Sequence, residues 1–222
     1  MWKQLVGLFK KDGLCEEAFQ ESLDMLELCR SMFCDAIASL WEEGALEIDI
    51  YARDRAINRF ERDVRRKIVT HLAVSTKPDI NTALVLTAIV MDIERIGDYT
   101  KNIVELAAVH PGRFSGGELA GEVRGVEGLV ESIFADIIPT MREAQVDKAR
   151  QILGDHQIVV GRVEEALQEL IAGRALVEHS QEAVVAALYL RYLKRVSAHL
   201  KNVATSVVNP YYRIGFREKG AS

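Results

Sequence analysis

An internal duplication limits what this chain can fold into more than any other feature of it. Ser31-Met32-Phe33-Cys34-Asp35 reappears 101 residues later as Ser132-Ile133-Phe134-Ala135-Asp136. Glu94-Arg95-Ile96 and Lys101-Asn102-Ile103 reappear 100 residues later as Lys194-Arg195-Val196 and Lys201-Asn202-Val203. An almost constant offset argues that one folding unit was copied, with a slipped residue in a loop of the second copy. The repeat is far longer than the roughly 20–50 residues of a solenoid unit. Two bundles related by pseudo-symmetry are therefore expected, in place of a superhelix.

Each unit reads as three helices. Four prolines in 222 residues, few aromatics and abundant Ala, Leu, Glu and Arg favour helix over strand, and the absence of Asn-Gly or Asp-Gly between alternating apolar runs removes the hairpin signal. An all-α fold follows. The first unit divides into helices over about 16–43, 45–74 and 78–109, with Gly44 and Ser75-Thr76-Lys77 as connections and Pro78 in a first helical turn. His110-Pro111-Gly112 and Ser115-Gly116-Gly117 end that unit. The expected organisation is a short amphipathic helix over 1–13, one three-helix bundle over 14–112, a second over 113–209, and a tail over 210–222. In the second unit Pro139 should kink the first helix, and Gly173 and the capping candidate Ser180 stand where Ser75 to Pro78 stood.

The apolar side of the N-terminal helix (Trp2, Leu5, Val6, Leu8, Phe9) must be covered, by the body or a dimer mate or, less readily, by a membrane surface. The tail aromatics Tyr211, Tyr212 and Phe216 suggest docking onto the bundle or a partner, beyond which the last few residues should be disordered.

Composition excludes several functions. The net charge of -5 comes from 28 basic and 33 acidic residues mixed along the chain, which gives no nucleic-acid footprint. Cys15, Cys29 and Cys34 have no ligand spacing and read as reduced thiols acting as small hydrophobes. No apolar run reaches the ~20 residues of a membrane span and no secretory leader is evident, so a cytoplasmic location is expected.

Chemistry concentrates in two carboxylate pairs. Glu94 and Asp98, four apart on a helix, share one face. Asp54 and Asn58 repeat that spacing on the preceding helix. If the two helices bring these pairs together, three carboxylates and an amide supply hard oxygen ligands suited to Mg²⁺, Mn²⁺ or iron. Neutralisation by Arg55 and Arg95 is the competing reading.

Glu94-Arg95-Ile96-Gly97-Asp98-Tyr99-Thr100-Lys101-Asn102-Ile103 resembles the Glu-Arg-Ile-Gly-Asp-His/Tyr-x-x-Asn-Ile signature of the PhoU family of phosphate-uptake regulators. Asp54-Arg55-Ala56-Ile57-Asn58 is similar to that family's second acidic motif. Arg191-Tyr192-Leu193-Lys194-Arg195-Val196, with His199 and Asn202, resembles the second-repeat signature Arg-Tyr-Leu-Glu-Arg-Ile-Ala-Asp-His. The resemblance implies tandem three-helix bundles and metal ligands at Glu94, Asp98 and Asp54, with Asn58 replacing an acid; the ion is iron, Mn, Mg or Zn. It also implies a non-enzymatic cytosolic regulator of phosphate transport and phosphate-starvation signalling that acts by metal-assisted contact and forms a homodimer. Its partners would be the ATPase of a phosphate ABC transporter and a sensor histidine kinase, or a sodium/phosphate symporter or low-affinity phosphate permease.

The second unit departs from that pattern. Counted by the repeat offset, Lys194 and Ala198 replace Glu94 and Asp98, while Asp155 and Val159 replace Asp54 and Asn58. No metal is expected there, and Lys194 is expected to pair with Asp155 across the helices.

Other classes fare worse. A di-metal oxidase needs Glu-x-x-His motifs, yet His71, His110, His156, His179 and His199 follow Ile, Ala, Leu, Leu and Val by three residues. These histidines read as ordinary helix-face residues. No phosphate loop, nucleophile elbow or Cys-His arrangement appears. A structural oligomer or metal store is the remaining alternative.

Overall fold

The structure is a computed structural model that describes residues 13–42, 49–110, 112–175 and 180–218. The expected N-terminal helix, the Gly44 turn and the last four residues lie outside the described residues.

Six α-helices are described: α1 Gly13–Trp41, α2 Ile50–Val74, α3 Ile80–Val109, α4 Ala120–Glu143, α5 Val146–Ile171 and α6 Ser180–Val208. Capping sets where two of them start. Asp49 accepts the Ala52 amide at 2.8 Å and caps α2 at Ile50, while the start expected at Ala45 lies outside the described residues. Asp79 accepts the Thr82 amide at 3.1 Å and its hydroxyl at 2.8 Å, which places Pro78 ahead of the cap and not in the first turn. α4 continues through Pro139 to Glu143 and ends on Ala144 in the left-handed region, at φ 56°.

Helices α1, α2 and α3 pack on one another, as do α4, α5 and α6. α3 and α6 then lie against each other at the centre, α1 touches α4, and one continuous apolar core runs through both bundles. The copied aromatics meet there, Phe33 on Phe134 with ring centroids 5.1 Å apart. Burial repeats with the duplication: Met25, Cys29, Met32 and Phe33 on α1 answer to Val126, Val130, Ile133 and Phe134 on α4.

The symmetry breaks at one buried acid. Glu127 occupies the place of Leu26 and is 3% exposed. Trp41 Nε1 (2.7 Å), Tyr189 OH (2.6 Å) and Arg124 Nη1 (2.7 Å) all donate to it, and Arg124 also lies over the Trp41 ring. A buried carboxylate without such donors would cost several kcal/mol, roughly.

The tail packs back on α3 and α6, held through different groups from those expected. Asn209 Nδ2 donates to the carbonyls of Arg213 and Phe216, Gly215 N donates to Thr205 Oγ1, and Ile214 joins the core. Tyr212 and Phe216 stay exposed, because main-chain bonds and an aliphatic side chain hold the segment. Cys15 and Cys29 are buried, as expected of small hydrophobes, whereas Cys34 is exposed.

Candidate functional site

Antiparallel packing of α2 on α3 sets the geometry of the acidic cluster. The helices approach closely at Gly97, where an added Cβ would lie 2.6 Å from Ile57 Cδ1. That approach brings Asp54, Asn58 and Glu61 of α2 level with Lys101, Asp98 and Glu94 of α3.

Lys101 reaches into the cluster. Its Nζ lies 2.9 Å from Asp54 Oδ1 and 3.2 Å from Asp98 Oδ1, so both carboxylates converge on one ammonium. Burial lowers the lysine's pKa, the bonds to Asp54 and Asp98 outweigh that, and the net shift is upward. Arg95 pairs with the other Asp98 oxygen at 3.1 Å and lies 3.5 Å from Glu94. Asn58 Nδ2 turns back onto Asp54, donating to its carbonyl at 3.0 Å and its carboxylate at 3.3 Å. Glu94 is the least compensated acid. Burial first, then the charges of Asp98, Glu61 and Asp54, push its carboxyl above the usual range, against the pull of Arg95.

The predicted ligands Asp54, Asn58, Glu94 and Asp98 are thus gathered in one region, together with Glu61, which sequence reasoning missed. Their oxygen chemistry suits a hard cation. Their arrangement does not fit one as it stands, since Lys101 holds the point between Asp54 and Asp98. Among the described residues no three Asp, Glu, His or Cys groups are close enough to hold a metal ion. Lys101 sits inside the quoted motif three residues from Asp98, but Arg95 has the same spacing on the other side, so spacing alone does not single out the lysine.

Across the bundle junction the two copies of the motif bind each other. Asp92 of α3 pairs with His199 Nδ1 at 2.7 Å and accepts from Asn202 Nδ2 at 2.9 Å, while Tyr99 stacks on His199 and accepts from Arg195 Nε at 3.0 Å. His199 and Asn202 therefore tie the two bundles together.

The second unit requires a correction. Lys194 pairs with Glu164 at 2.7 Å and not with Asp155, whose charged neighbours are Asp136 of α4 and Lys148. The reason is register. Ser197 takes the place of Gly97, and its hydroxyl meets His156 Nδ1 at 2.8 Å where Gly97 meets Ile57. Aligned on those contacts, Leu153 and Gln157 stand where Asp54 and Asn58 stood, and Asp155 faces away from α6. His156 is 6% exposed, which also overturns its reading as an ordinary helix-face residue.

Fold and cluster define a class: a tandem pair of three-helix bundles that carries a charged cluster in one copy and lacks its acids in the other. Residues 23–107 match the family model of the PhoU domain, so the first bundle is a PhoU domain and the resemblance read from its motifs holds. The whole chain has the fold of solved PhoU proteins. It is similar to the crystal structure of PhoU from Pseudomonas aeruginosa, with a TM-score of 0.73 and 22% identity over 88% of this chain and 96% of that one. It is also similar to the phosphate transport system regulatory protein PhoU from Streptococcus pneumoniae, with a TM-score of 0.64 and 16% identity over 94% and 95% of the two chains. No curated protein matches the chain. Among the described residues no helix is long and apolar enough to cross a membrane.

Proposed function

We propose that this protein is a regulator of phosphate transport that works by binding a partner protein at the cytoplasmic side of the membrane and not by catalysis. One observation carries the reading: the PhoU domain of the first bundle is set in a full-length match to a PhoU named as a phosphate transport system regulator. The outward cluster of Asp54, Glu61, Glu94, Asp98, Arg95 and Lys101 offers a partner charges of both signs, suited to setting register and specificity. Candidate partners are the ATPase of a phosphate ABC transporter, a sensor histidine kinase, and a phosphate symporter or permease. Co-purification of the full chain with each separates these, and failure with all of them removes the reading. Light scattering tests the proposed homodimer.

A second reading adds a divalent ion to the cluster, favoured by the weak compensation of Glu94. The ion would have to displace the Lys101 ammonium. Metal analysis of the untagged protein, beside its Glu94→Ala/Asp98→Ala variant, tests this. Stoichiometric metal retained by the variant would refute it.

A further inference from the structure

The two bundles treat one pair of lysines in opposite ways. Lys101 lies between two carboxylates. Its counterpart Lys201 has none within ion-pairing distance among the described residues, and its Nζ donates to the neutral carbonyl of Gly215 at 2.7 Å. Where the first bundle has Asp54, Asn58, Glu94 and Asp98, the helices around Lys201 carry Leu153, Gln157, Lys194 and Ala198. The acid whose charge acts on Lys201 is Asp92, which is already engaged by His199 and Asn202.

Beside Lys201 a cleft of about 640 Å³ opens between α5, α6 and the returning tail. Its charged lining is Arg150, Lys201, Arg217 and Glu218, with His156 and Gln157 as further polar groups. The cleft already receives a carboxylate: Glu218 accepts from Arg150 Nε at 3.0 Å and Nη2 at 2.9 Å, the two-pronged arrangement in which a guanidinium holds an oxyanion. Arg150 is also paired with Asp147 at 3.2 Å, so the three cations face two carboxylates and one positive charge is left over, since His156 is neutral at physiological pH. Burial pulls the Lys201 pKa down, as it does for an ammonium short of counter-charge. An anion with several acceptor oxygens answers both the charge and the donors, and displacing Glu218 from Arg150 would free a second positive charge for a dianion. The volume lies within the range of roughly 300–1,000 Å³ typical of small-molecule sites, large enough for an organic group beside the anion.

We propose that this cleft is a binding site for a phosphate group, free or carried on a small molecule, held by Lys201, Arg150 and Arg217, with Glu218 as an internal competitor that the ligand displaces from Arg150. The proposal goes beyond the partner-binding reading and does not rest on it. In effect the second copy has exchanged a cluster of acids around one lysine for a lysine that awaits an acid.

Isothermal titration of the full chain in chloride buffer tests the proposal. The probes are inorganic phosphate, glycerol 3-phosphate and adenosine monophosphate, with sulfate for comparison. Saturable binding of at least one phosphate probe is expected. It should weaken about tenfold or more in Lys201→Met and in Arg150→Met, strengthen in Glu218→Gln, and stay unchanged in Glu94→Ala/Asp98→Ala. Preference for inorganic phosphate identifies the free ion as ligand, and preference for a monoester identifies a phosphorylated metabolite. If Lys201→Met does not fold, Arg217→Ala and Glu218→Gln carry the test, because Arg217 is exposed and Glu218 pairs only at the surface. No saturable binding of any phosphate probe, or binding indifferent to these changes in the cleft, overturns it.

Discussion

His156 makes the stability of the second bundle depend on pH with a sign and size that can be worked out. Burial first, then the positive charges of Lys201 and Lys194, lower its pKa from 6.5 to about 4. In the folded chain the imidazole is therefore neutral, bonded through Nδ1 to Ser197 Oγ at 2.8 Å. The unfolded chain takes up a proton near pH 6.5 that the native state refuses until about pH 4. Between those values the unfolded state binds more protons, so stability falls as pH falls, and it is flat above and below that window. A shift of that size is worth about 3 kcal/mol in full, and about 2 kcal/mol of it is lost by pH 5. Urea unfolding of the wild type and His156→Gln at pH 7.5 and pH 5, in phosphate-free buffer, gives the measurement. Glu94, Glu131 and Asp155, whose pKa values are raised chiefly by burial, act in the opposite direction in both proteins and cancel in the difference. The wild type should lose about 2 kcal/mol more than the variant over that interval. Parallel losses in the two proteins would refute the buried neutral imidazole.

Lys101→Met leaves Asp54 and Asp98 facing each other, which should cost about 1–3 kcal/mol in thermal melts run with a chelator. Mg²⁺ or Mn²⁺ should restore that loss if the vacated position accepts a cation, and a variant that melts like the wild type in chelator would show that Lys101 holds nothing together. Gly97→Ala pushes a methyl onto Ile57 and should cost about 1–3 kcal/mol; combined with Ile57→Val the penalty should shrink, and additivity of the two changes in a double-mutant cycle would count against the close approach. Tyr189→Phe removes a donor from buried Glu127 and should destabilise by about 1–3 kcal/mol. It should also shift the Trp41 fluorescence, since Trp41 Nε1 bonds the same carboxylate.

Periodicity and duplication made the helices, their order and the two bundles legible, because apolar spacing is a local signal and the core positions recur with it. Start points were less legible: Asp79 displaced the start read from Pro78 by capping. The cluster around Glu94 was legible as a set of residues but not as an ion-pair network, since nothing in a linear spacing says that Lys101 bends inward while Arg95 stays at the rim. The second site was misread for a specific reason. Offsets of 101 on α4 and 100 on α6 were carried onto α5, where the Ser197–His156 contact sets its own alignment against α6. A shift of two residues on a helix turns a side chain by more than half a circle, enough to take Asp155 off the α6 face and bring Gln157 onto it.

The duplicated scaffold also says which residues serve the fold and which do not. Buried positions persist in both copies, so the helices need their apolar faces, while the acids Asp54, Glu94 and Asp98 are absent from one copy without loss of the bundle. Arg95 and Arg195, Lys101 and Lys201, and Asn102 and Asn202 are retained, so the basic half of the motif is compatible with either surrounding. What differs is the source of the compensating negative charge. In the first bundle it comes from side chains of α2 and α3, fixed by helix packing. In the second it comes in part from Glu218, on a tail secured by Asn209, Gly215 and the Lys201 bond to the Gly215 carbonyl. A carboxylate on such a tail is easier to displace than one on a packed helix, because fewer buried contacts resist its movement. The asymmetry therefore places exchangeable anion chemistry in the second bundle and a built-in cation, Lys101, in the first.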